Sequence, residues 1–372
     1  MKSNEYDCVV VGAGPAGSNA AYNVAKEGFK TLLIERDHSP GWFNSCGGGI
    51  GYFLQELYGF PDDIAGRNIY KIDLQLWNRT KVFEANNPLF TSIQRPKFDK
   101  WFAERAVGAG AELKVSHKAL DYDPYHKVLT CLNRETSEKV QFNGKLFIFA
   151  DGPKTLAWQA CRVGLPPTAP CHFGVAMELT LPDAPHDKYE FIFDEVRLPY
   201  GYYWVFPREN ALNVGLGGPV RQLQGSIGKR LKDFINARED LRELKSERTT
   251  SGLIPAYLTD KLHGDSVMVV GDSGGFVNPI TGGGIFLGLK SAEMAAKTAC
   301  EALKMGTTDS HHLARYSRRV KYSKIYPSIK TLDFLVNYSQ AHLKRTGRPL
   351  LSEFFNMYSE VFFRLLQVIK DI

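Results

Sequence analysis

The chain has 372 residues, 44% of them hydrophobic and 23% charged, with a net charge of +6. That is enough chain for one large or two medium cores, and the composition is that of an ordinary globular protein. No apolar run approaches the roughly 18 residues that cross a bilayer, which argues against a membrane-spanning chain or a secretory signal and points to the cytoplasm.

Residues 6–11 form a short β-branched run suited to a buried parallel strand. Gly12-Ala13-Gly14-Pro15-Ala16-Gly17 follows at once, and the alanine-rich stretch 18–26 then reads as a helix. A second apolar strand covers 30–34 and ends at Glu35. This strand, glycine loop, helix and strand is the context in which GxGxxG holds a dinucleotide. Gly12 permits the tight turn, Gly14 lets the backbone approach a pyrophosphate, and Gly17 lets the helix pack on the strand. The helix N-terminus offers free N–H groups to the phosphates. Glu35, 23 positions after Gly12, is placed to accept bonds from the adenosine ribose hydroxyls. Ala16 and Arg36 join this cofactor-binding set. A glycine turn without a ligand is the alternative reading.

Six cysteines stand at 8, 46, 131, 161, 171 and 300. None forms a CxxC pair or another metal-ligand spacing, so no metal is expected. Cys46 is set apart by the glycines Gly47-Gly48-Gly49 that follow it. Downstream, Arg95 opens the helical stretch RPKFDKWFAERA, and Asp151-Gly152 follows an apolar strand over 145–150.

A second anion-binding corner lies late in the chain. The apolar strand 266–270 leads into Gly271-Asp272-Ser273, then Asn278-Pro279-Ile280-Thr281-Gly282-Gly283-Gly284-Ile285, then a breaker-poor helix to about residue 305. Asp272 suits a ribitol or ribose hydroxyl. The N–H groups of Gly282, Gly283, Gly284 and Ile285 suit the N1–C2=O edge of a flavin, where they would stabilise negative charge on the reduced ring.

A GxGxxG start, an internal Asp-Gly and a late Gly-Asp loop together resemble FAD proteins of the p-hydroxybenzoate hydroxylase type. That resemblance implies that Arg95 contacts the flavin and that Asp151 belongs to the cofactor site. By themselves, the residues leave a surface charge and a plain turn open. A narrower resemblance is to the geranylgeranyl reductase family. Cys46-Gly47-Gly48-Gly49 is similar to its CGxG loop. Tyr202-Tyr203-Trp204-Val205-Phe206-Pro207, followed by Gly215-Leu216-Gly217, is similar to its YxWxFP…GxG signature. The resemblance covers about residues 6–305. It implies an FAD enzyme that reduces C=C bonds in the polyprenyl chains of isoprenoid lipids or prenyl diphosphates. It implies that Cys46 and Gly47 lie near the flavin ring, and that Gly48, Tyr202, Trp204, Phe206, Gly215 and Gly217 line the substrate site.

The segments 172–181, 189–194, 201–207 and 211–217 alternate as strands of a mostly antiparallel sheet, with Tyr202, Trp204 and Phe206 on one face. Ordinary core aromatics are the alternative reading of the three. An isolated alkene is not polarised, so hydride delivery needs an acid to protonate it as positive charge builds. Tyr202 and Trp204 offer π faces to that charge. Cys46 is the leading side-chain proton source, with water or the reduced flavin as alternatives. There is one dinucleotide fingerprint, so the electron donor stays undecided between a ferredoxin and a reduced nicotinamide. Flavin-dependent hydroxylation and FAD-based electron transfer are the rival functions. Halogenation is disfavoured because no WxWxIP element occurs.

Residues 311–372 hold eleven Lys or Arg against four Asp or Glu, which leaves the rest of the chain near neutrality. Stretch 315–330 interleaves bases with tyrosines, and 350–369 reads as an aromatic helix. A solvated tail packed on the body, peripheral contact with an anionic membrane and docking of an acidic electron carrier all fit. No nucleic-acid module is present. The expected fold is α/β: a Rossmann-type FAD-binding domain (1–70, 93–165 and 255–310), an inserted α+β substrate domain (71–92 and 166–254) and a basic helical segment, 311–372.

Overall fold

A computed structural model describes residues 4–42, 46–76, 79–169, 171–180, 186–194, 197–198, 201–220, 223 and 227–346. The expected helix over 350–369 lies outside the described residues. In the first third, the elements are β1 (Glu5–Val11), α1 (Pro15–Lys26), β2 (Thr31–Ile34), β3 (Gly49–Gly51), α2 (Phe53–Tyr58), α3 (Asp62–Ala65), β4 (Asn68–Ile69), β5 (Lys71–Leu76), β6 (Arg79–Glu84), β7 (Phe90–Ser92) and α4 (Arg95–Gly108). The middle holds β8 (Glu112–Lys114), β9 (His117–Asp123), β10 (Val128–Asn133), β11 (Lys139–Phe149), α5 (Leu156–Cys161), β12 (Cys171–Thr180), β13 (Lys188–Phe193), β14 (Tyr202–Pro207) and β15 (Ala211–Pro219). Then come α6 (Ile227–Asn236), β16 (Ser246–Pro255), β17 (His263–Gly264), β18 (Val267–Val269), a 3-10 turn at Gly271–Ser273, α7 (Ile285–Lys304), α8 (Ser310–Tyr322) and α9 (Ile325–Thr346).

The chain divides into two compact units. Unit 1 comprises Met1–Phe43, Arg95–Pro170 and Pro255–Leu332; unit 2 comprises Asn44–Gln94, Cys171–Ile254 and Asp333–Ile372.

Unit 1 is built on the parallel stack β18-β11-β1-β2-β8, with β17 antiparallel on β18 and the β9–β10 hairpin antiparallel on β11. The valine run of β1 lies in the middle, and Val9 and Val10 are fully buried. A central parallel strand is covered on both faces, which is why it reads as a continuous apolar run. Burying each such side chain contributes about 1.5–3 kcal/mol. α1 starts with Pro15, where the missing N–H costs nothing, and ends at Lys26, two residues before Gly28, whose N–H donates to the Ala25 carbonyl at 2.8 Å. α1 packs against α7, and Asn19 Nδ2 crosses to the Leu289 carbonyl at 3.1 Å. α8 buries Leu313, Tyr316 and Val320 in the same unit, and the Tyr316 hydroxyl donates to Val269 O at 2.8 Å.

Unit 2 carries a seven-stranded sheet in the order β16-β12-β15-β14-β13-β5-β6. Pairing is antiparallel from β12 through β15 and β14 to β13, and between β5 and β6; β13 and β5 run parallel. Side chains alternate across it. One face holds Val175, Met177, Tyr203, Val205, Val214 and Leu216, packed with Leu231 and Ile235 of α6 in one core. The opposite face holds Tyr202, Trp204 and Phe206, so the three aromatics do share a side, as their alternation predicts. The short sheet β3-β7-β4 completes the unit.

Candidate functional site

In unit 1 the glycine loop joins β1 to α1. Gly12 has φ +100°, a left-handed conformation that costs other residues, and a Cβ there would stand 2.5 Å from the Ala150 carbonyl oxygen. Gly17 is held by close approach: a Cβ would lie 1.9 Å from Gly12 O. Gly14 differs from both, since nothing lies within 4 Å of its would-be Cβ. The space is open at the N-terminus of α1, where no side chain caps the helix. A phosphate fits that arrangement. Ala16 serves packing: its Cβ would lie 3.0 Å from a Cβ on Gly271 and 3.3 Å from one on Gly288.

Glu35 ends β2, and its carboxylate accepts bonds from Ala13 N at 2.9 Å and Asp37 N at 3.0 Å. Burial pushes its pKa up and these two N–H groups oppose it. The acid thus braces the glycine loop, with lone pairs to spare for hydroxyl donors. Arg36 is largely exposed and lies 3.5 Å from Asp37.

The flavin-type residues gather around the 3-10 turn. Asp272 sits in it, and its carboxylate accepts no hydrogen bond among the described residues. Burial raises its pKa from 3.8 to about 6, with the Arg95 charge opposing. Arg95 opens α4 and grips buried Asp99 in a two-pronged bond of 2.7 and 2.8 Å. A Cβ on Gly284, the N-cap of α7, would lie 3.2 Å from Asp272 Oδ1, and α7 too has no side-chain cap. Asp272, Arg95 and Gly284–Ile285 therefore form one corner with an unpartnered acid and an open helix end, which fits a polyhydroxylated, anionic cofactor. Gly282 takes less part than its position suggests, since its N–H is spent on Asn278 O at 2.9 Å. Gly283 N lies 3.2 Å from Thr281 Oγ1. Asp151 is engaged as well: Oδ2 accepts from Leu156 N at 2.7 Å and Oδ1 from Ser273 Oγ at 3.0 Å. It ties the end of β11 to the turn that carries Asp272. Ser273 carried no signal in the sequence beyond its place beside Asp272.

In unit 2, β14 lays Tyr202, Trp204 and Phe206 along one face. Tyr202–Trp204 ring centroids are 5.7 Å apart and Trp204–Phe206 6.3 Å. Cross-strand register places Gly217 opposite Tyr202, Gly215 opposite Trp204 and Asn213 opposite Phe206. Gly215 makes room for the indole: a Cβ there would stand 2.2 Å from Trp204 Cζ2. Trp204 Nε1 donates to Asn213 Oδ1 at 2.7 Å, which fixes the indole. Asn213 was missed in the sequence, although it sits two residues before the GxG, where alternation puts it on the glycine face.

Cys46 and the glycines after it lie against this face. A Cβ on Gly47 would be 3.1 Å from the Phe206 ring and 3.4 Å from Trp204 Nε1, and one on Gly49 would be 2.8 Å from Tyr189. Gly48 turns the loop with φ +77°, and its carbonyl accepts from Ile93 N at 2.7 Å. Cys46 Sγ lies 3.4 Å from Gly48 N. Tyr202 is pushed above its ordinary pKa by burial first and then by the Cys46 thiol. The aromatic face and the Cys46 loop thus lie side by side within unit 2. No helix among the described residues is long and apolar enough to cross a membrane.

Two family profiles match: the Thi4 family over residues 1–54, and the geranylgeranyl reductase catalytic domain over residues 172–251. The chain is 33% identical to a digeranylgeranylglycerophospholipid reductase of Methanopyrus kandleri, over 85% of this chain and 86% of the relative. It is 31% identical to another of Methanocaldococcus jannaschii, over 93% and 90%. A geranylgeranyl bacteriochlorophyll reductase-like protein from Thermoplasma acidophilum superposes with a TM-score of 0.79 and 26% identity, covering 95% of this chain and 99% of that one. A flavin-dependent brominase shares the fold, with a TM-score of 0.74 and 18% identity, over 97% of this chain and 93% of that one. With its glycine loop, its acid-bearing corner and its aromatic sheet face, the chain belongs to the geranylgeranyl reductase family of flavin-dependent oxidoreductases.

Proposed function

We propose that this protein is an FAD-dependent reductase of C=C bonds in geranylgeranyl-type chains of isoprenoid lipids, with glycerophospholipid-linked chains as its first substrate class. The observation that carries the reading is the β14 face. Three aromatic rings lie in a row, with Trp204 seated over Gly215 and its N–H tied to Asn213, beside a cysteine loop. Such a mainly aromatic face suits an apolar, unsaturated chain.

In unit 1, Gly12–Gly17 and the α1 N-terminus would hold the pyrophosphate, and Glu35 with neighbouring Arg36 the adenosine end. Arg95, Asp272 and the Gly283–Ile285 corner would hold the flavin half, braced by Asp151. The group held there would, when bound and reduced, supply the hydride equivalent for one alkene carbon. The protein's part is to protonate the other carbon and to stabilise positive charge meanwhile. We assign the proton to the Cys46 thiol, which is restored from water. The π faces of Tyr202 and Trp204 oppose the developing cation. Phe206, Gly48, Gly215 and Gly217 shape the seat of the chain. The electron donor, ferredoxin or reduced nicotinamide, acts as a transient partner.

The outer side of α8 supports contact with an anionic membrane. Arg318 and Lys321 are exposed there without ion pairs among the described residues, beside Tyr322 at 83% exposure.

The test is anaerobic. The purified protein is loaded with FAD, reduced chemically and mixed with a digeranylgeranyl glycerophospholipid. Mass spectrometry should show a pair of hydrogens gained per reduced bond. A fully reduced flavin with no mass change in the lipid would remove this reading.

A further inference from the structure

Arg208 directly follows the YYWVFP strand, at the start of the β14–β15 turn, where its N–H donates to Ala211 O at 2.7 Å. A turn arginine ordinarily extends into water. This one is only 14% exposed and runs back along the face that carries Phe206 and Trp204. Nη1 donates to Glu178 Oε2 at 2.9 Å, and Nη2 to the Cys46 carbonyl at 3.1 Å. Glu178 stands opposite Asn213 in the β12–β15 register, so the carboxylate rises from the same face. The third donor, Nε, is buried with no partner among the described residues. A buried donor left unmade is costly, so the guanidinium is held where it is by its other two contacts.

Those contacts bear on one short loop. Cys46 O is bound by Arg208, Gly47 is slotted against Phe206 and Trp204, and Gly48 is bonded to Ile93. A Cβ on Gly48 would stand 3.2 Å from Arg208 Nη2, so the planar fork lies directly on the turn. Within the loop, Gly48 N–H approaches Cys46 Sγ at 3.4 Å; among the described residues, the hydrogen bond that ties Cys46 to another segment is the one from Arg208.

We propose that Arg208 is a positioning residue: braced by Glu178, it clamps the Cys46 carbonyl and thereby sets where the Cys46 thiol stands against the aromatic face. A lysine cannot replace it, because one ammonium on a flexible stem does not span Glu178 and Cys46 as a planar fork does. The proposal deepens the reductase reading by naming what holds its proton donor, and it rests on that reading only for turnover.

The test therefore uses a readout that needs no substrate. Full-length, flavin-loaded protein is alkylated with iodoacetamide at a pH where the thiol is fully ionised. Peptide mass spectrometry follows the Cys46 peptide apart from the other cysteines. In Arg208→Gln the freed loop should react about tenfold faster, the size expected for one charge-assisted bond released, while the flavin spectrum stays unchanged. Glu178→Gln should move the rate in the same direction, and Arg208→Lys should fall between. If Arg208→Gln does not yield flavin-loaded protein, the lysine variant is judged by the same rate. Rates within about twofold of the wild type in the variant so judged would overturn the clamp. Where the lipid is turned over, kcat should fall with KM little changed. Faster alkylation in a protein that reduces no lipid would keep the clamp and sink the reductase reading instead.

Discussion

Trp204 and Gly215 show how one side chain depends on the absence of another. The ring lies where a Cβ on Gly215 would be 2.2 Å from Cζ2 and 2.5 Å from Cε2. Gly215→Ala must therefore move the indole or the strand, and overpacking of this kind costs about 1–3 kcal/mol. The displaced indole also loses its bond to Asn213. We expect a melting temperature a few degrees lower and a loss of prenyl turnover far larger than that stability loss explains. Turnover and melting measured on the same preparation check it; a variant with wild-type turnover would separate Trp204 from the substrate. The aromatic residues were legible in the sequence because period-2 alternation assigns them to a face. Asn213 and Arg208 were not, because an amide or an arginine near a turn is ordinary until its partner is known.

Among the elements, α8 has two distinct sides. Leu313, Tyr316 and Val320 are buried, while His311, Arg315, Arg318, Lys321 and Tyr322 face outward. Arg319 and Arg315 are shared with Glu301, at 2.6 and 3.8 Å, so their charge is partly spent. Arg318 and Lys321 keep theirs. Each basic residue near an anionic membrane contributes about 1 kcal/mol, so Arg318→Gln with Lys321→Gln should weaken binding to phosphatidylserine vesicles by about thirtyfold. Co-sedimentation at low and high salt measures it. Equal partitioning of variant and wild type would discard the membrane contact and leave an acidic protein partner for this face. The basic run was visible in composition, whereas which of its charges are already neutralised depends on Glu301, which comes from α7.

Across the whole molecule, Asp272 links stability to pH. Its carboxyl is raised from 3.8 to about 6 by burial, against Arg95. The folded flavin-free protein thus keeps a proton that the unfolded chain has already released. This stabilisation is present at low pH and is lost as pH rises from about 4 to 6 and beyond, at most roughly 3 kcal/mol in all. Asp272→Asn removes the dependence. The flavin-free variant should melt a few degrees higher than the wild type near about pH 7, with the two curves converging near about pH 4. Flavin should bind the variant more weakly, and so raise its melting temperature less than that of the wild type. Parallel melting curves across this range would show that Asp272 carries no such cost.

The α/β class, the glycine loop, the acid at the end of β2 and the family were readable from residue order, because each is written in local patterns: a buried valine run, a fixed spacing of glycines, an alternation of aromatics. A strand, an acid and a helix start also lie close together in the chain at 267–285, so that corner could be proposed from the sequence. Which members of those motifs keep free hydrogen-bonding capacity follows from folding. Asp151 and the Gly282 amide are spent on the protein's own groups, while Asp272 and the α7 N-terminus are not. Tertiary structure likewise decided the parallel β5–β13 pairing, and it joined Arg208 to Cys46 across 162 positions of chain. Contacts of that span obey geometry in space, and no local propensity records them.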